Sequence, residues 1–137
     1  MTRRRITGDT AGSTSLEFAM IGPLFCMLVF AAVETAILVW MQASLRSTAA
    51  LTARCAAANS PSCANTSLIQ SYATDLWNTS TAGMPIAASD VTNNGKISTC
   101  NGAPGNYQSV SISHQFLLGV PPLGDVMLSA TACFPVP

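Results

Sequence analysis

Phe18–Met41 reads FAMIGPLFCMLVFAAVETAILVWM, an apolar run in which Glu34 is the only charged residue. An α-helix needs roughly 20 such residues to cross a bilayer, so the run predicts a membrane-spanning helix. It also bounds everything else. The chain has 137 residues, 49% hydrophobic and 9% charged, enough for one span and one small domain but not for two independent globular domains. A cleavable secretory signal is the rival reading, because arginines precede the run. Such a signal has a shorter apolar core that ends in small residues. Ala31-Ala32-Val33 is a poor version of that site, and the apolar pattern continues through Ile37, Leu38, Val39 and Trp40.

The cations orient the span. Arg3, Arg4 and Arg5 cluster before it, whereas Arg46, Arg54 and Lys96 are scattered after it. Arginines flanking a span are retained on the cytoplasmic side, so the N-terminus is expected inside and the C-terminal part outside. The formal net charge is zero, with no basic stripe to track phosphates, which argues against nucleic acid as a partner. Cys55, Cys63, Cys100 and Cys133 all fall in the translocated part, where an oxidising compartment permits disulfides. Cys26, inside the apolar run, is expected to be an inert buried thiol. A zinc site is disfavoured because no CxxC spacing occurs and His114 is the only histidine.

Beyond the span, Gln42–Ala58 lacks glycine and proline and should continue the helix until Asn59-Ser60-Pro61 stops it. Alanine, threonine and Leu45 line this outer half, and small side chains allow close packing. Asn65-Thr66-Ser67 is a capping cluster for a second, amphipathic helix carrying Leu68, Ile69, Tyr72, Ala73, Leu76 and Trp77 at helical spacing. After Gly83 the pattern turns to strands. Asn94-Gly95, between Val91-Thr92 and Lys96-Ile97, reads as a hairpin turn. Tyr107–Phe116 alternates, with Val110, Ile112, His114 and Phe116 on one face and Ser109, Ser111, Ser113 and Gln115 on the other. His114 is then a core-edge side chain. After a turn over Gly119–Asp125, a last strand presents Val126, Leu128, Ala130, Ala132 and Phe134 to one face. Four cysteines permit three pairings. The short separation of Cys55 from Cys63 suits a local bridge, and Cys100 and Cys133, each ending a strand, suit one that pins two strands together.

Glu17 is not accounted for by anchoring alone, since a carboxylate at the edge of hydrocarbon needs a partner or water. Gly12-Ser13-Thr14-Ser15-Leu16-Glu17-Phe18 sets a glycine before small or apolar residues, then glutamate and phenylalanine at the mouth of the helix. This resembles the processing site of type IV pilin-like proteins. Together with the serine-rich strand YQSVSISHQF, the proline turn and the last strand ending in cysteine and Phe-Pro, the chain resembles the TadE-like pseudopilins of the tight-adherence (Flp) pilus system. The stretch from about Ser60 to Gly105 carries no matching motif.

The resemblance implies cleavage after Gly12 by a membrane prepilin peptidase, leaving Ser13 as the new N-terminus. Arg3, Arg4, Arg5 and Asp9 would be lost, taking the net charge from 0 to −2. It further implies that Glu17, with Phe18 beside it, pairs in the membrane with the α-ammonium of a neighbouring subunit. The implied partners are the peptidase, the major Flp-type pilin, other pseudopilins and the inner-membrane assembly platform; no cofactor is implied. Pro23 and Glu34 suit a span that packs against other helices, although Glu34 could instead reach the headgroups near Trp40.

The expected fold is α+β: a long N-terminal helix with transmembrane and periplasmic halves, a second short helix and a small antiparallel sheet stabilised by disulfides. Residues 1–12 are the expected leader, 13–41 the span and 42–137 the periplasmic domain. One histidine and isolated carboxylates make no nucleophile, base and orienting group, so catalysis is not expected. The competing function is an uncleaved, permanently anchored periplasmic adaptor or binding module.

Overall fold

The computed structural model describes residues 11–81, 84–117 and 124–136. Residues 1–10 of the expected leader, with its arginines, and most of the proline turn, residues 118–123, lie outside the described residues. The elements run α1 (Ala11–Ala57), α2 (Thr66–Ser80), β1 (Val91–Cys100), β2 (Ala103–Leu117) and β3 (Asp125–Pro135), with short 3₁₀ turns at Pro61–Cys63 and Ala88–Asp90. This is the expected α+β architecture. Contacts divide the chain into two compact units at Leu38/Val39, inside α1.

The described residues of the first unit, 11–38, are helix alone. Their large side chains are exposed, from Phe18 at 77% to Met27 at 70%. Cys26 is exposed too, which corrects the expectation of a buried thiol. A lone helix satisfies its backbone internally but covers none of its side chains.

In the second unit, Met41, Leu45, Ala49, Ala53 and Ala56 of α1 recur at helical spacing and are buried. They join one apolar cluster with Ile69, Ala73 and Trp77 of α2 and with Val91, Val110, Ile112, Phe116 and Ala130 of the sheet. The buried hydroxyl of Thr52 donates to the Thr48 carbonyl at 2.7 Å, so threonine is tolerated on this stripe. Just past the end of α1, Asn59 takes a left-handed φ of 48°. The Ser60 amide donates to the Cys55 carbonyl and the Asn59 amide to the Ala56 carbonyl, the pair of bonds that closes a Schellman motif.

The Asn65 side chain accepts from the Leu68 amide at 2.9 Å, as the capping cluster predicts for α2. The buried stripe on α2 is narrower than its sequence suggests: Ile69, Ala73 and Trp77 are buried, Tyr72 and Leu76 are half-buried and Leu68 is exposed. Only one side of α2 faces the core.

The sheet has the order β1-β2-β3, antiparallel throughout. Asn94-Gly95 is not its hairpin turn. β1 runs straight through both residues, and the ladder passes from Asn93↔Val110 to Gly95↔Ser109, leaving Asn94 as the extra residue of a bulge. Gly95 takes φ 71° there. The turn falls instead at Asn101-Gly102, where φ values of 49° and 82° supply the two left-handed residues of a type I′ hairpin. Both Asn-Gly pairs provide left-handed backbone, and the pairing partners decide which of them reverses the chain.

Candidate functional site

The residues expected to act in the membrane lie on α1. Gly12 and Ser13 are in its first turns, Glu17 is exposed and Phe18 is 77% exposed. Glu34 is half-buried, with the Thr35 hydroxyl beside it donating back to the Ala31 and Ala32 carbonyls at 2.9 Å. That back-bonding hides one polar group of the span within the helix itself. Pro23 lies inside α1 without ending it; its ring removes a single backbone donor, a loss that neighbouring groups in a packed helix can absorb.

In the second unit the four translocated cysteines form two bonds, Cys55–Cys63 and Cys100–Cys133, with Cα separations of 5.9 and 6.3 Å. They serve different places. Cys63 is 4% exposed and belongs to the apolar cluster, with the half-buried Cys55 packed against it. Cys100 and Cys133 lie outside that cluster and are both half-buried.

His114 is half-buried at the core edge, its ring set edge-on to Phe116 at 4.6 Å. The sequence did not reveal its partner: Nδ1 meets Asp90 Oδ2 at 2.5 Å, and the same oxygen accepts from the Ala87 amide. The pair ties the 3₁₀ turn before β1 to the C-terminal part of β2, so it supports the fold. Its only sequence signal is an acid just ahead of a strand, which is too common to point to a histidine 24 residues away.

The other polar contacts also hold elements in place. Gln42 Nε2 on α1 donates to the Ser129 carbonyl of β3 at 2.9 Å, and the Arg54 guanidinium lies 5.9 Å from the Phe134 ring centroid. Across the sheet, Asn94 Nδ2 donates to Ser111 Oγ, which in turn bonds Thr131 Oγ1. Two open hollows, of about 350 and 220 Å³, share the exposed Leu51. They are lined chiefly by serine, alanine and aliphatic groups with Arg54 and Tyr72. Among the described residues, no three His, Cys, Asp or Glu side chains gather as a metal site would require.

The described residues contain one helix apolar enough to cross a membrane, Ser15–Ala57, with only 6% of its most apolar window buried. A core helix of a soluble protein would be mostly covered, so this helix fits a single-pass anchor. Residues 12–54 match the model of the TadE-like protein family. The matched segment begins at Gly12, takes in Glu17, Phe18 and Glu34, and ends one residue before Cys55. The TadE-like segment is therefore the greater part of α1, while α2, the sheet and both disulfides lie beyond it. No curated protein and no solved structure matches the chain.

Proposed function

We propose that this protein is a minor, pilin-like subunit of a tight-adherence (Flp) type IV pilus system. The observation that carries this reading is the extent of the TadE-like match, which starts at Gly12 and covers a helix whose large side chains are exposed. In this reading α1 holds the chain in the bacterial inner membrane, with the leader in the cytoplasm and residues 42–137 in the periplasm. A prepilin peptidase cuts after Gly12, and removal of Arg3, Arg4 and Arg5 frees the helix from its cytoplasmic anchor.

Cleavage creates an α-ammonium on Ser13. A neighbouring subunit's Glu17 pairs with it in the membrane, and each charge answers the cost of burying the other. In low dielectric such a pair sets register between subunits more than it adds stability, because desolvation offsets much of the attraction. The partners are the major pilin, other pseudopilins and the assembly platform. The chain works by assembly, not by catalysis, and requires no cofactor.

Intact mass of the protein from membranes of cells with and without the prepilin peptidase tests this. A chain beginning at Ser13 only when the peptidase is present is the expected result. A full-length chain in both would overturn it and leave a permanently anchored periplasmic module.

A further inference from the structure

The register of the sheet and the position of its disulfide do not fit a flat ladder. Gly95 of β1, Ser109 of β2 and Cys133 of β3 lie on one line across the sheet. Cys100 is five residues beyond Gly95 and pairs with Ala103 at the hairpin end. On a flat sheet it would lie roughly 17 Å along the strand from that line, and two strand spacings, about 10 Å, across from β3. The observed Cα separation from Cys133 is 6.3 Å. The end of the β1–β2 hairpin must therefore curl back over the sheet.

Three features supply the curl. Register shifts fall between Asn93 and Gly95 and between Ile97 and Thr99, and bulges bend the strands that carry them. Gly105 is the third, because a Cβ there would sit 2.9 Å from the Tyr107 ring. The side covered follows from alternation: Ala130 and Ala132 face the core, so Cys133 projects from the opposite face. Ser109 projects from that face as well, yet is only 2% exposed. Asn94 Nδ2 lies 3.3 Å from its Oγ, and the partner of Ser109 on β3 is Cys133, the residue tied to the hairpin end.

We propose that Cys100–Cys133 is an exchangeable latch, the site at which a dithiol reductant acts on the folded domain, whereas Cys55–Cys63 is a permanent bond of the core. Attack by a thiolate depends on access to a sulfur. Both cysteines of the latch are half-buried and outside the apolar cluster, so either sulfur can be attacked and either can leave. Cys55 is half-buried too and lines an open hollow, but attack there would expel the Cys63 thiolate inside the cluster, where a charge is costly. In the exchange, a dithiol's thiolate attacks one sulfur of the latch to give a mixed disulfide; its second thiol then displaces the protein cysteine. The products are two protein thiols and one oxidised dithiol, with no other oxidant or reductant required. Opening the latch frees residues 97–106, while Trp77, Val110 and Ile112 stay packed.

The test uses the full-length protein in detergent, with Cys26 first blocked by N-ethylmaleimide. Dithiothreitol is added without denaturant, samples are quenched and alkylated, and labelled peptides are quantified by mass. Cys100 and Cys133 should label at least about tenfold faster than Cys55 and Cys63, with Trp77 fluorescence unchanged. Labelling of all four together, or only as Trp77 fluorescence is lost, would overturn the proposal. A Cys100→Ser/Cys133→Ser double variant keeps the geometry testable: amide hydrogen exchange should accelerate within residues 97–106 and not in α2. No acceleration in 97–106 would show that nothing was latched there.

Discussion

α1 shows opposite burial in its two halves. Up to Leu38 its largest side chains, among them Phe18, Met20, Leu24, Phe25 and Phe30, are exposed by 63% or more. From Met41 onward the buried positions are mostly small, and Ala49, Ala53 and Thr52 have no exposure at all. In water the first arrangement would cost too much free energy to persist, at about 25 cal/mol per Å² of apolar surface. Large apolar groups facing outward are suited to lipid, and small ones facing inward to a helix packed closely against a sheet. One element thus answers to two solvents, and residue size separates them more clearly than hydrophobicity does.

The most severe way to break this comparison is to empty the domain core. Trp77 is fully buried, lies with its ring tilted 36° to that of Phe116 at a centroid distance of 6.0 Å, and donates Nε1–H to the Met84 carbonyl at 2.6 Å. Trp77→Ala should cost about 3–5 kcal/mol in denaturant unfolding of the domain and leave membrane retention in alkaline carbonate unchanged. Loss of both together would mean that the halves do not stand apart.

A matched pair sharpens the comparison. Ala49→Leu adds bulk where there is no exposed surface and should destabilise the domain by about 1–3 kcal/mol. Ala31→Leu makes the same change on an exposed position of the other half and should shift the same unfolding curve by less than about 0.5 kcal/mol. Equal shifts would remove the distinction.

The smallest effect expected is at the α2 cap. Asn65→Ala removes the acceptor for the Leu68 amide and should cost about 1 kcal/mol, read from the same unfolding curve, with membrane retention unchanged.

Much of this was legible in the residues. The span follows from an uninterrupted apolar run, the start of α2 from Asn65-Thr66-Ser67, and the strand faces of β2 and β3 from strict alternation. These are local signals, in which each residue's chemistry acts on backbone a few positions away. The motif from Gly12 to Phe18 was legible for the same reason, since it is contiguous, and the TadE-like match begins at the same glycine.

The Asn-Gly pairs mark the limit of that reading. Asn94-Gly95 and Asn101-Gly102 carry the same local preference, and sequence alone placed the hairpin at the first. Pairing with β2 decided otherwise, because Val91 and Ile112 must meet in the core and the ladder continues past Gly95. The Asp90–His114 pair and the curl of the hairpin end beneath Cys100–Cys133 likewise join residues distant in the chain. The sequence by itself determined that there is a span, two helices, strands and cysteines able to bridge. Only the tertiary structure decided which turn closes the hairpin, which acid meets the histidine and which face of the sheet is covered, because those depend on long-range packing that no short stretch of chain encodes.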